Sequence, residues 1–341
     1  MGEMAPQTIW LLIVLGAMAI ALAVTPVARW VALRIGMVDH PAPRKLHARP
    51  VPLLGGLALY LAVLLVLVIL EDRYNLHQLA SVLLGATAIS FLGIWDDRWG
   101  LRPLIKLAGQ GVIAGAVMAT GVMIGLFPWP ALNALITLLW LVGITNAFNL
   151  IDNMDGLSGG IGAVCAAFFL LLAALNGQYL VGALAAAVLG ACLGFLRYNF
   201  NPASIFMGDT GSLFLGFLMA VLGIKLRFPN NVAFVTWMVP VLVLGVPIFD
   251  TVLVVFSRLR RGLNPLTMPG KDHLSHRLVR AGLTHREAVL ILYLVQVALG
   301  VLAMFIAMAG AVESYLIGGL VGGMALWALG RLERPPFWDG K

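Results

Sequence analysis

Charge is what this sequence has least of. Asp, Glu, Lys and Arg make up 11% of its 341 residues, against roughly 25% in soluble globular chains, while 61% of the residues are hydrophobic. That balance excludes a soluble globular chain. Cysteine is nearly absent too. Cys165 and Cys192 both lie inside apolar runs with no metal-ligand spacing between them, so they read as inert core residues, neither a disulfide nor a ligand pair. A basic leader is missing as well: Glu3 is the only charge before the first apolar run, and Arg29 and Arg34 follow it. That order is the reverse of a secretory signal peptide, so the first run is expected to be a retained span with its N-terminus outside. Nor do the two halves repeat each other convincingly.

What is present is a series of apolar runs. A hydrocarbon core of roughly 30 Å takes about 20 residues of helix, and eleven candidate spans follow: 8–28, 53–70, 77–95, 104–124, 131–150, 159–175, 179–196, 211–227, 232–257, 287–308 and 314–331. The 38 glycines and 14 methionines suit closely packed membrane helices. Pairs such as Gly190/Gly194, Gly318/Gly322 and Gly319/Gly323 leave a homodimer open without requiring one. With the N-terminus outside, all but Arg73, Lys225 and Arg227 of the 22 Lys and Arg residues fall on the inside, as the positive-inside rule asks. The net charge of +7 therefore reports topology, and no nucleic-acid partner is expected. The expected architecture is all-α: one membrane-embedded domain over residues 1–341, polytopic, N-terminus outside and C-terminus cytoplasmic.

The carboxylates sort to the same side. Asp96 and Asp97 end the third span, Asp152 and Asp155 the fifth, Asp209 precedes the eighth, and Asp272 lies in the ninth loop. Carboxylates beneath basic loops suit a magnesium-assisted reaction on a phosphate substrate: the carboxylates hold a hard cation and the cations hold phosphates.

The stretch Asn146–Gly160, NAFNLIDNMDGLSGG, is the densest of these sites. Asn149, Asp152 and Asn153 stand at i, i+3 and i+4, so a helical end projects them into one small volume. Polar groups at such a boundary mark function by default; the plainer alternative is a polar helix C-terminus capped by Gly156. In Phe91–Gly100, FLGIWDDRWG, the adjacent Asp96 and Asp97 repel unless a metal or a base neutralises them, leaving one for metal and one for a proton; a solvated loop start is the alternative. In Arg197–Gly216, RYNFNPASIFMGDTGSLFLG, Asp209 is a metal candidate or the N-cap of the eighth span. Arg44, Lys45, His47 and Arg49 form a basic strip, for phosphate or for topology alone. His273, His276 and Arg277 in GKDHLSHRLVR read as phosphate contacts, since no second pair completes a transition-metal site. Asp250, after Pro247, is functional or caps a proline-broken helix.

In this order, the stretches RKLHARPVPLLGG, GIWDD, NAFNLIDNMDGLSGG, NFNPASIFMGDTGSLFLG, PIFDT and DHLSHRL resemble the polyprenyl-phosphate N-acetylhexosamine-1-phosphate transferase family of MraY, WecA and TagO, over nearly the whole chain. The resemblance implies a multi-pass enzyme of the bacterial cytoplasmic (inner) membrane with a cytoplasmic active site. It would move a sugar 1-phosphate from a UDP-sugar to a polyprenyl phosphate with Mg²⁺ (Mn²⁺ as the alternative) and release UMP. Carried over, Asp209 is the metal aspartate, with Asp97 and Asn149 beside it. Asp96 and Asp97 are the catalytic pair. Asn146, Asn149, Asp152, Asp155, Asn199 and Phe206 bind the donor, with Lys106, Arg44, Lys45 and His47 and the His273, His276 and Arg277 group near the phosphates. Ser275 stands where the WecA and TagO branch has another histidine. That branch still fits better than MraY, whose donor carries MurNAc-pentapeptide, and it makes UDP-GlcNAc the expected donor. The mechanism is expected to be one in-line displacement, with an aspartyl-phosphate route open. The competing classes are a secondary transporter, an aromatic prenyltransferase and a purely structural membrane protein.

Overall fold

A computed structural model describes residues 6–39, 50–69, 76–229, 231–265 and 270–337. Arg44, Lys45, His47 and Arg49 lie outside the described residues. The chain forms two compact units, Met1–Arg227 and Phe228–Lys341. Both are helical, and the described strands are two residues long: β1 (Val38–Asp39) pairs antiparallel with β2 (Val51–Pro52).

The first unit contains α1 (Pro6–Ile35), α2 (Gly55–Ile69), α3 (Leu76–Trp99), α4 (Pro103–Ala119), α5 (Pro130–Ile151), α6 (Leu157–Leu175), α7 (Tyr179–Asn199) and α8 (Gly208–Lys225). Proline opens α4 and α5, where its missing N–H has no helical partner to lose. The run SLFLGFLMAVLG makes α8 apolar on every side, and a helix of that kind is buried. It packs against α2, α3, α5, α6 and α7, so its N-terminus is where residues from several helices converge.

The second unit contains α9 (Ala233–Thr236), α10 (Met238–Val243), α11 (Gly245–Arg260), α12 (Leu274–Arg280), α13 (His285–Met308) and α14 (Ala311–Leu332). The expected ninth span is not straight: its halves meet at 78°. The cause is local. Pro247 has no N–H to give to the carbonyl four residues back, at Val243, and its ring crowds that turn. Gln296 of α13, fully buried, repairs the break. Its Nε2 donates to Leu242 O at 3.2 Å and Val243 O at 2.9 Å, and its Oε1 accepts from Val246 N at 3.0 Å. Gln296→Leu keeps the volume but strands all three backbone groups, so we expect a loss of about 2–4 kcal/mol, read as a lower melting temperature in detergent.

Asp250 does not cap α11, which starts five residues earlier. Instead its Oδ1 accepts from Leu274 N at 2.6 Å and its Oδ2 lies 2.8 Å from His273 Nδ1. It caps α12 from a different helix.

Among the described residues eight helices are long and apolar enough to cross a membrane, nine if the bent segment counts as one span. The helices α2 and α4 are apolar but shorter. Each of the eleven expected runs overlaps described helix, though α4 ends at Ala119, five residues before the end of the fourth run, and the protein is an all-α, multi-pass membrane protein.

Candidate active site

The site begins with the docking of α8. Three glycines let its first turn lie directly on its neighbours. A Cβ on Gly56 of α2 would stand 2.1 Å from Gly211 N, and one on Gly93 of α3 would stand 2.5 Å from Asp209 O. Gly208 has φ +67°, a conformation that favours glycine, and a Cβ there would meet both Asp97 Oδ2 and Leu53 O at 2.7 Å. On the other flank the backbone of residues 206–207 is pinned to the chain entering α2: Phe206 N donates to Pro52 O, Gly55 N to Phe206 O and Gly56 N to Met207 O. None of these glycines is marked as functional by composition.

Met207 precedes α8 and provides no side-chain cap. The cap comes from α3. Asp97 Oδ1 accepts from Asp209 N at 2.8 Å, and Asp97 Oδ2 accepts from Thr210 N at 3.0 Å and Thr210 Oγ1 at 2.6 Å. Asp209 is thus not the cap of its own helix, and its side chain is available elsewhere.

That side chain joins a cluster drawn from four helices. Lys106 Nζ of α4 donates to Asp209 Oδ2 at 2.5 Å and Asn149 Oδ1 of α5 at 3.1 Å, and it lies 2.8 Å from Asp96 Oδ2 of α3. Asn149 Nδ2 donates to Asp209 Oδ1 at 2.7 Å and Ser212 Oγ at 2.9 Å. Asp96 Oδ1 also accepts from Leu101 N at 2.6 Å, which closes the turn from α3 into α4 and brings Lys106 round. One ammonium against Asp96 and Asp209, with Asp97 and Asp152 close by, leaves an excess of negative charge.

Asp152 ends α5. Among the described residues no donor bonds to its carboxylate. Burial, then the charges of Asp209, Asp97 and Asp155, push its pKa from 3.8 up to about 8. The folded chain therefore holds a proton there that the unfolded chain releases near pH 4. Stability from this proton is full below pH 4 and is lost as pH rises to 8. In substrate-free protein, Asp152→Asn removes this fall with pH. We expect the variant to melt above the parent at pH 9 and to match it more nearly at pH 5, while its turnover drops about tenfold or more.

The remaining expected residues divide. Asp155 Oδ2 accepts from Asn201 Nδ2 at 3.0 Å and Ala203 N at 2.9 Å. Asn199 Oδ1 accepts from Gly156 N at 3.1 Å, and its Nδ2 donates to Ile205 O at 3.0 Å. Both brace the loop after α5 against the loop before α8. Gly156, at φ +76°, precedes α6 and does not end α5. Asn146 pairs through its amide with Gln110 of α4, a buried residue whose only signal was an amide inside an apolar helix. Phe206 is half-buried.

In the second unit His273 and His276 lie with ring centroids 6.1 Å apart. Burial first, then the charges of His273 and Lys271, lowers His276 to about 4, so it is neutral at pH 7. Arg277 is fully buried. It donates to Asp272 O at 2.8 Å and Leu332 O at 2.7 Å and pairs with Glu333 Oε1 at 2.8 Å. Arg258 grips the Asp272 carboxylate with Nε at 2.9 Å and Nη2 at 3.0 Å. Around Arg277, sequence had suggested phosphate contact; the geometry is that of an ionic core.

Among the described residues no three His, Cys, Asp or Glu side chains form a metal cage. The donor set still fits magnesium, which is commonly held by one or two carboxylates plus substrate phosphates. Lys106 marks the place: a cation among three oxygen acceptors, from Asp96, Asp209 and Asn149, with no nitrogen or sulfur ligand.

A sequence profile described as glycosyl transferase family 4 matches residues 79–227, a stretch that contains the whole four-helix cluster. The probable undecaprenyl-phosphate N-acetylglucosaminyl 1-phosphate transferase of Bacillus subtilis (strain 168) is 39% identical over 285 residues, covering 80% of this chain and 78% of that protein. The decaprenyl-phosphate N-acetylglucosaminephosphotransferase of Mycolicibacterium smegmatis is 33% identical over 302 residues, 78% of this chain and 74% of that protein. The undecaprenyl-phosphate alpha-N-acetylglucosaminyl 1-phosphate transferase of Salmonella typhi is 30% identical over 283 residues, 78% and 76%. Likeness of this extent, with the cluster inside the matched region, shows that the chain belongs to the polyprenyl-phosphate N-acetylhexosamine-1-phosphate transferase family.

Proposed function

We propose that this chain transfers N-acetylglucosamine 1-phosphate from UDP-GlcNAc to a polyprenyl phosphate such as undecaprenyl phosphate, releasing UMP and starting a cell-envelope glycan. The activities of the relatives support the transferred group and the acceptor. The donor follows from chemistry: moving a sugar 1-phosphate onto another phosphate calls for a nucleotide-linked sugar diphosphate. The observation that carries the reading is Lys106 set between Asp96, Asp209 and Asn149 at the ends of four helices, a place for both a phosphate-binding cation and a metal.

In this reading Lys106 holds donor phosphate oxygens, and Asp96 takes or orients the proton of the lipid phosphate. A lipid phosphate oxygen attacks the β-phosphorus in line. The new P–O bond forms as the bond to UMP breaks, and UMP leaves with that electron pair. Asp209 and Asn149 would hold Mg²⁺, which when bound would offset charge on the diphosphate. The protein's share is positioning and charge neutralisation. Counting α2, α4 and the bent segment as spans gives eleven, N-terminus out and C-terminus in. The distribution of Lys and Arg supports that orientation and a site facing the cytoplasm at the bacterial inner membrane.

The test is UMP release by purified protein in detergent with Mg²⁺, polyprenyl phosphate and UDP-GlcNAc, against an EDTA control. Lipid-dependent, EDTA-sensitive UMP is expected. UMP only with another UDP-hexosamine moves the donor assignment, pyrophosphate in its place indicates a prenyltransferase, and no product from any donor returns the transporter reading. A lipid-independent burst of UMP with a trapped acyl phosphate replaces the single displacement with two steps.

A further inference from the structure

The two neighbouring aspartates at the end of α3 face different partners. Asp96 meets Lys106. Asp97 turns to α8, and among the described residues its hydrogen-bond partners all belong to that helix's first turn. We propose that Asp97 is a positioning residue, neither the base nor a metal ligand: its carboxylate caps α8 and so aims Asp209 at Lys106 and Asn149. This rests on the transferase reading for what Asp209 does, and on the structure alone for what Asp97 does.

The argument is one of acceptor capacity and space. One Asp97 oxygen takes Asp209 N and the other takes both Thr210 N and Thr210 Oγ1. Gly208 lies so close that a Cβ on it would stand 2.7 Å from Asp97 Oδ2 and 3.0 Å from Oδ1. All three donors that reach these oxygens come from α8 itself, one on Oδ1 and two on Oδ2, so the carboxylate is turned to a helix end and away from Lys106, where metal and phosphate would sit. The same contacts define a job. The first N–H groups of a helix need acceptors from outside it, and a carboxylate there also meets the positive end of the helix dipole. Since one of those N–H groups is that of Asp209, the cap fixes the backbone from which the Asp209 side chain departs. Of the adjacent pair, only Asp96 is left to act on substrate.

Thr210→Val tests this without touching any group assigned to metal or substrate, because it deletes one cap donor at constant volume. It is compared with Asp97→Asn, Asp96→Asn and the Asp97→Asn/Thr210→Val double variant. The readouts are Mn²⁺ binding to substrate-free protein by calorimetry, melting temperature, and the pH profile of kcat/KM for UMP release.

Loss of an outer partner of a metal ligand commonly costs about 10–100-fold in affinity or activity. We expect Asp97→Asn to weaken Mn²⁺ binding and turnover by about that factor and to keep the acid limb of the pH profile. Thr210→Val should move the same readouts in the same direction by less. The double variant should be no worse than Asp97→Asn alone, since both remove one cap. Asp96→Asn should fall to background turnover.

The proposal is overturned if Asp97→Asn loses all turnover, or the acid limb, with Mn²⁺ affinity and melting temperature intact. It is equally overturned if Thr210→Val leaves all three readouts unchanged, an outcome that stays legible should Asp97→Asn fail to fold. If wild-type protein releases no UMP, the transferase reading fails, while metal binding and melting still report on the cap.

Discussion

Asp209→Ala lowers turnover by about 10³-fold or more while the protein still folds and survives in detergent. The expectation comes from what each partner keeps. Lys106 loses one carboxylate but stays 2.8 Å from Asp96, so no buried ammonium is orphaned, the case in which removing a partner is most destructive. Asn149 keeps Ser212 Oγ at 2.9 Å. The α8 cap uses the Asp209 backbone N–H, which alanine retains. The side chain ties α8 to its neighbours through Lys106 and Asn149 and also stands against the Asp96 carboxylate, a like-charge contact whose loss offsets part of what is removed, so stability should shift by no more than about 1 kcal/mol. What is lost, on the proposed transferase reading, is the carboxylate that faces the reacting phosphates. UMP release and a melting curve on one preparation read both halves of the prediction. Turnover above a tenth of the parent's would remove Asp209 from the site.

Gly56→Ala is the second large effect, and it works from outside the cluster. Its Cβ would stand 2.1 Å from Gly211 N and 2.4 Å from Gly211 Cα. Both obstacles are backbone, so no side chain can rotate away, and α8 has to shift against α2. Overpacking of this kind costs about 1–3 kcal/mol, and a displacement of about 1 Å at a catalytic group can cost about 10²-fold in rate. We expect a lower melting temperature together with a loss of turnover of that order. Gly111→Ala is the control: a Cβ there meets nothing within 4 Å, and exchanging glycine for alanine inside a helix is otherwise favourable. Equal behaviour of the two variants would show that α8 does not depend on the close approach.

Both predictions concern one surface, the first turn of α8 against α2 and α3, and the sequence indicated only half of it. The Gly-Asp-Thr-Gly turn and the aspartate pair of α3 were each legible, and capping was named as a role at this place. Asp209 stands in the sequence as a metal candidate with capping as its alternative, because a sequence shows only the nearest acceptor; the acceptor that caps α8 lies 112 positions away, in Asp97. Asp250 repeats the pattern, capping α12 from α11 and not the helix in which it stands. Arg277 shows the same limit from the other side. A basic residue beside two histidines reads as a phosphate contact, and only the approach of Glu333 and of the Leu332 carbonyl makes it a core ion pair. Gln296 had no local signal, because its task is set by a proline 49 residues earlier on another helix.

By itself, then, the sequence determined the helical membrane class, the runs that become helices, and the family. Each of these depends on local composition or on the order of short motifs: apolar length decides whether a segment can sit in hydrocarbon, and flanking charge decides which end stays in water. The tertiary structure decided which residue caps which helix, where the ninth run bends, which glycines admit α8, and which of two adjacent aspartates meets Lys106. Those outcomes depend on hydrogen bonds and contacts between groups far apart in the chain, whose partners exist only once the helices have packed.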